Sequence, residues 1–167
     1  MHNLYQLNTS LRNVLVYIIL TMNIYTKSVI LDNGIGGWAF VKEYVDGVTC
    51  MWGNSKEAIK KKDLDILCVY KACQKMCQDS MNCIIFTDSK YVFDGITKFC
   101  NIWMENGWKT KNDKSVKNVE LWEYIYNVKD CLHYLPDNIE SERSKMAYNL
   151  ALEAANNDVV NFSMMID

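Results

Sequence analysis

The sequence carries a single proline, Pro136, and two histidines, His2 and His133, among 167 residues. With so little proline and half of the residues apolar, a disordered or linker-rich chain is excluded. Two distant histidines and the absence of any Cys-x-x-Cys pair argue against a zinc site. Charge of one sign is also missing: the formal net charge is −2, so no global basic field announces nucleic acid, and binding of that kind needs a local patch. No apolar run reaches the roughly 20 residues that cross a bilayer. The seven cysteines (50, 68, 73, 77, 83, 100, 131) are odd in number and spread through apolar segments. They read as reduced thiols packed as small core residues, which points to an intracellular compartment, cytoplasm or nucleus.

What is present fits one globular domain of ordinary size. The apolar stretch "VLVYIILTM" (14–22) follows Arg12 in the manner of a signal peptide, but no small-residue cleavage site comes after it. We therefore read 1–21 as an N-terminal extension, with Met22 a candidate native start, 22–156 as the domain and 157–167 as a tail. "NIYTKSVIL" (23–31) is β-branched and aromatic, as strands are. "DNGIGG" (32–37) is a turn cluster, and 38–52 holds two strands around Asp46-Gly47, a hairpin signal. A polar loop or helix entry (54–62) leads to a helix in which Asp65, Val69, Ala72 and Met76 share one face. "CIIFT" (83–87) is a buried strand, and Ser89 is placed to cap the next helix. A short aromatic helix, a basic turn and another helix fill 99–128. The strand "DCLHYL" (130–135) and a final helix (140–156) complete the order β-β-β-α-β-α-α-β-α. That order predicts an α/β fold: a mixed five-stranded sheet, its first three strands antiparallel, flanked by helices.

One segment points to chemistry. In "IIFTDSKYVFDGI" (84–96) an apolar strand stops abruptly at a carboxylate, Asp88, and turns helical. Together with "YTKSVILDNGIGGWAF" and "NGWKTKNDKSVKNVELW", this segment resembles the cellular, type 1 class of ribonuclease H. The resemblance covers roughly 22–156 in the expected order and implies the ribonuclease H-like fold. It also implies hydrolysis of the RNA strand of an RNA/DNA hybrid. In that chemistry four carboxylates hold two divalent ions, Mg²⁺ or Mn²⁺, about 3.5–4 Å apart.

Carried residue by residue, the family pattern puts its third acid on Asp88 and its second on Asp65, with Asp63 a competing register. The first acid position falls on Lys27 and the fourth on Lys145. "LPDNIE" lacks the histidine that the family keeps before the last helix. An ammonium about 4 Å from a divalent ion, at an effective dielectric near 20, repels it by roughly 8 kcal/mol gross. Asp65 and Asp88 are thus the surviving catalytic and metal-binding candidates, holding a single ion weakly if any. Lys27 and Lys145 read as permanent counter-charges to them, giving a metal-free ion-pair cluster. Asp32 lies in the turn beyond the strand and is a poor substitute ligand.

The binding face is less altered. Lys109, Lys111, Lys114 and Lys117 crowd one exposed stretch near Trp103 and Trp108, suited to phosphate contacts that read no sequence. The resemblance adds Asn118 as a DNA-phosphate ligand, and Asn33 and Lys90 as contacts in the minor groove. Trp122 reads as a core anchor. The resulting expectation is a monomeric protein, without membrane association, that binds RNA/DNA hybrid or structured nucleic acid with catalysis impaired or lost. Two rivals stand beside it: an active metal-dependent endonuclease, and a non-catalytic protein-interaction scaffold.

Overall fold

A computed structural model describes residues 22–44, 47–79, 83–135, 141–157 and 162–166; side chains at 76–79 and 162–166 are not described. The proposed extension 1–21, the turn residue Asp46, and the side chain of Met76 on the helical face therefore lie outside what is described.

Six strands form one sheet in the order β5-β4-β1-β2-β3-β6. β1 (Met22–Ile30), β2 (Ile35–Glu43) and β3 (Val48–Ala58) are an antiparallel meander. β4 (Cys83–Thr87) and β5 (Leu132–Tyr134) add parallel to β1. These are the five strands that the sequence predicts. The sixth, β6 (Phe162–Ile166), pairs antiparallel with β3. The segment 157–167 is therefore not merely a tail: its β-prone "FSMMI" supplies backbone partners to what would otherwise be an open edge.

β3 also runs further than expected. Its end, Asn54–Ala58 by pairing, lies against Ile35 and Gly37, with a register shift between them. Lys56 takes a positive φ of 56° there. Lys56, Glu57 and Ala58 at this strand end are exposed.

The two sheet faces are covered by different helices. Trp38, Phe40 and Ile24 join one core cluster with Leu64, Val69 and Ala72 of α1 (Lys61–Asp79). Ala39, Val41 and Cys50 join a second with Ala147, Ala151 and Ala154 of α5 (Glu142–Asn156). Alternation along β2 sends neighbouring side chains to opposite faces, so α1 and α5 sandwich the sheet. The small residues along α5 let it approach closely. A Cβ placed on Gly37 would lie 1.8 Å from the Ala151 carbonyl oxygen.

Between β4 and β5 runs a broken helix: α2 (Lys90–Asp94), a π-helical turn (Gly95–Phe99) and α3 (Cys100–Glu105). α4 (Val119–Tyr126) packs beneath it. Trp122 of α4 is fully buried, as expected of a core anchor. A Cβ on Gly95 would meet its ring at 2.4 Å, so glycine is what allows this contact. Burying a large aromatic of this kind contributes on the order of 3 kcal/mol.

Candidate functional site

The site grows from strand register. β1 and β4 are parallel with Thr26 opposite Thr87. The next residue on each strand is Lys27 and Asp88, so the two emerge side by side, roughly 4.8 Å apart across the ladder. Lys27 Nζ donates to Asp88 Oδ2 at 2.7 Å. Both side chains are largely buried, 12% and 17% exposed. Ser89 then starts α2, its Oγ accepting from the Val92 N–H.

Asp65 reaches the same place from α1 and is buried. Its carboxylate accepts from the Ser28 hydroxyl and the Lys61 ammonium. Ser89 Oγ donates to its other oxygen at 2.8 Å. Lys61 Nζ also donates to Ser28 Oγ at 2.8 Å, closing a small network. Asp65 and Asp88 thus share a neighbourhood through Ser89, which follows one and bonds the other.

Beneath them lies Cys68, fully buried in the core. Its Sγ donates to the carbonyls of Lys27 and Ala39, each at 3.3 Å. Burial raises its pKa, and the charges of Asp65 and Asp88 add to that. Five of the six described cysteines are buried.

The expected pairing of Lys27 with an acid is present, but the second counter-charge differs. Asp65 takes its ammonium from Lys61, one turn earlier on its own helix, whereas Lys145 is exposed on α5. The physical reason is reach: an i,i+4 pair closes locally, without a side chain having to cross the sheet. The signal was available in the spacing of Lys61 and Asp65, across a stretch that reads as a polar loop or helix entry. Asp63, the competing register, points elsewhere. Its carboxylate accepts from Asn118 Nδ2 at 2.9 Å and faces Lys117 Nζ at 3.6 Å. Asp32 is exposed in the β1–β2 turn.

Could this donor set hold the ions that the family pattern requires? Each surviving acid is already bonded to an ammonium. Among the described residues, no group of three or more His, Cys, Asp or Glu side chains is placed to hold a metal. Hard divalent cations need several oxygen donors, and two lysine-bound carboxylates do not fit two of them.

The basic face takes shape along the broken helix and the following loop. A groove of about 690 Å³ is lined by Tyr91, Phe99 and Trp103, with Lys62, Lys90 and Lys111 among its walls. Phe99 and Ile102 are nearly half exposed there. Lys109 lines the same groove, and Lys114 is exposed on the neighbouring turn, where its carbonyl accepts from the Thr110 N–H. Trp108, at a φ of 59°, packs against the core and braces the loop through backbone bonds to Trp103 and Val116. Asn118, also left-handed at 57°, precedes α4. Asn33 is exposed, its side-chain oxygen accepting from the Ile35 N–H at 2.9 Å. Sequence reasoning missed Tyr91, Phe99 and Lys62 as groove residues. Their apolar or helix-start context carries no signal until the helix breaks at the π turn.

Comparison with known proteins places the chain in a family. The ribonuclease H family pattern matches residues 20–134. The chain belongs to the ribonuclease H family. It is 40% identical over 106 residues to a ribonuclease H of Wolbachia pipientis wMel, covering 63% of this chain and 72% of that one. Among solved structures, a foamy viral protease-reverse transcriptase in complex with dsDNA superposes with a TM-score of 0.66 at 20% identity. That match covers 82% of this chain and 94% of the other. The same viral enzyme in complex with RNA/DNA hybrid gives 0.65 at 18% identity, covering 82% of this chain. There the ribonuclease H-family chain spans only 20% of its counterpart. No helix among the described residues is long and apolar enough to cross a membrane.

Proposed function

We propose that this ribonuclease H-family chain binds RNA/DNA hybrid, or a similarly shaped nucleic acid, with its hydrolytic centre disabled. One observation carries the reading: the Lys27 ammonium lies 2.7 Å from Asp88, bonded to the acid that would otherwise be a metal ligand. Where a hydrolase needs negative charge gathered for Mg²⁺ or Mn²⁺, this site is neutralised by its own side chains. The grip is supported separately, by the lysine-walled aromatic groove and by the likeness to folds solved with nucleic acid. Lysines supply sequence-independent phosphate attraction, and exposed aromatic faces offer stacking or sugar contact.

The test is direct. Purified protein is mixed with labelled hybrid in Mg²⁺ and then in Mn²⁺, with Asp88→Asn as the control. The expected result is salt-sensitive binding with no cleavage above the control. Robust cleavage by the unaltered chain that Asp88→Asn abolishes would establish the active endonuclease instead. Absence of both binding and cleavage would leave the scaffold reading.

A further inference from the structure

Several lysines on this face are already paired with carboxylates. Lys90 and Lys98 both bond the carboxylate of Asp94, Lys98 at 2.7 Å. Asp63 holds the other end of the face, accepting from Asn118 at 2.9 Å with Lys117 at 3.6 Å. Lys109 pairs with Asp113 at 2.8 Å. By contrast, Lys111 and Lys114 have no carboxylate within ion-pair distance among the described residues.

These acids differ in weight. Asp113 is 82% exposed, so solvent screens its pair to little effect. Asp94 and Asp63 are only 22% and 24% exposed; Asp94 is bonded by two lysines, and Asp63 accepts from Asn118 with Lys117 an ion-pair neighbour. Bonds from Lys90, then Lys98, hold the Asp94 carboxyl below the usual carboxylate range, so it stays charged at neutral pH. A carboxylate with two donors presents much what a phosphate oxygen pair would present.

We infer that Asp63 and Asp94 are built-in competitors for phosphate, holding Lys117, Asn118, Lys90 and Lys98 until a polyanion displaces them. The inference rests on the reading of this face as the nucleic-acid interface. Its consequence is selectivity by ligand size. A lone phosphate gains one contact and must still face the adjacent carboxylate. A duplex engages Lys111 and Lys114 at the same time and overcomes that repulsion through many phosphates together.

The experiment compares hybrid binding by fluorescence anisotropy for the full chain, Asp63→Asn, Asp94→Asn and the double variant. Glu153→Gln on α5, across the sheet from α1, removes one charge without touching this face and serves as the control. Each aspartate variant should bind roughly three- to tenfold tighter at about 50 mM salt, and the gain should shrink by about 200 mM as screening grows. An acid in the first turn of α1 also favours the helix dipole, so Asp63→Asn is checked by thermal melting. Asp94→Asn keeps the test independent of that effect. If the unaltered chain binds and neither variant exceeds Glu153→Gln, the competitor role is overturned while the interface stands. If nothing binds, the double variant included, the interface reading falls with it. Binding that appears only in the variants supports the competitor role most strongly.

Discussion

Lys27 on β1 and Asp88, the residue just past parallel β4, sit side by side, joined by a 2.7 Å ion pair with both partners largely out of solvent. The register that aligns Thr26 with Thr87 makes this meeting unavoidable, whatever residues occupy the next positions. With two acids here, the same geometry would gather negative charge for a cation. With a lysine in one seat, it makes an internal salt bridge.

Restoring the acids should therefore restore metal dependence. Lys27→Asp, alone and combined with Lys145→Asp, is expected to raise Mg²⁺- or Mn²⁺-dependent cleavage of hybrid above that of the unaltered chain, measured by gel assay. An unaltered chain that already cleaves well, and is not improved by the exchange, would show these positions to be misassigned.

Truncating Lys27 alone should destabilise the fold. Lys27→Ala leaves the Asp88 carboxylate largely buried without its bonded ammonium, and the expected loss is about 1–3 kcal/mol, discounted for partial exposure. Urea unfolding measures it. A change under about 0.5 kcal/mol would mean that solvent replaces the lysine freely.

Lys111 and Lys114 should carry the salt dependence of binding. Replacing either with alanine is expected to weaken hybrid binding across sequences and to lower the slope of log K against log salt by about 1. An unchanged slope in both variants would place phosphate contacts elsewhere.

Alkaline pH should erode stability through buried thiols. Burial pushes the Cys100 thiol up to about 12 and raises that of Cys68 as well, from an ordinary value near 9. Above pH 9 the unfolded chain sheds these protons while the folded one keeps them. Stability is full below that point and falls as pH rises, by about 1.4 kcal/mol per pH unit per thiol. Urea midpoints between about pH 8 and 10.5 test this, and Cys100→Ala should flatten the decline.

Gly37→Ala should be costly out of proportion to its size. The added Cβ would meet the Ala151 carbonyl at 1.8 Å, which forces α5 off the sheet. A loss of about 2 kcal/mol or more is expected in thermal or urea unfolding. A neutral result would mean that α5 can slide without breaking its alanine contacts.

Much of this was written along the chain. Strand periodicity, the turn cluster at 32–37 and the helix-capping Ser89 marked the first five strands and the helix after β4, because these depend on local alternation and caps. The charge at positions 27, 65 and 88 was likewise a matter of sequence alone. What only the folded chain decided was pairing. Lys61 rather than Lys145 neutralises Asp65, because one helical turn is a shorter reach than the distance across a sheet. Asp63 faces Asn118, 55 positions away, and no spacing rule anticipates a contact made by two helices packing together. β6 joins β3 because an open strand edge accepts any extended segment that can reach it. Sequence settled which charges exist; the third dimension settled which charges cancel, since electrostatic energy depends on separation in space and not along the chain.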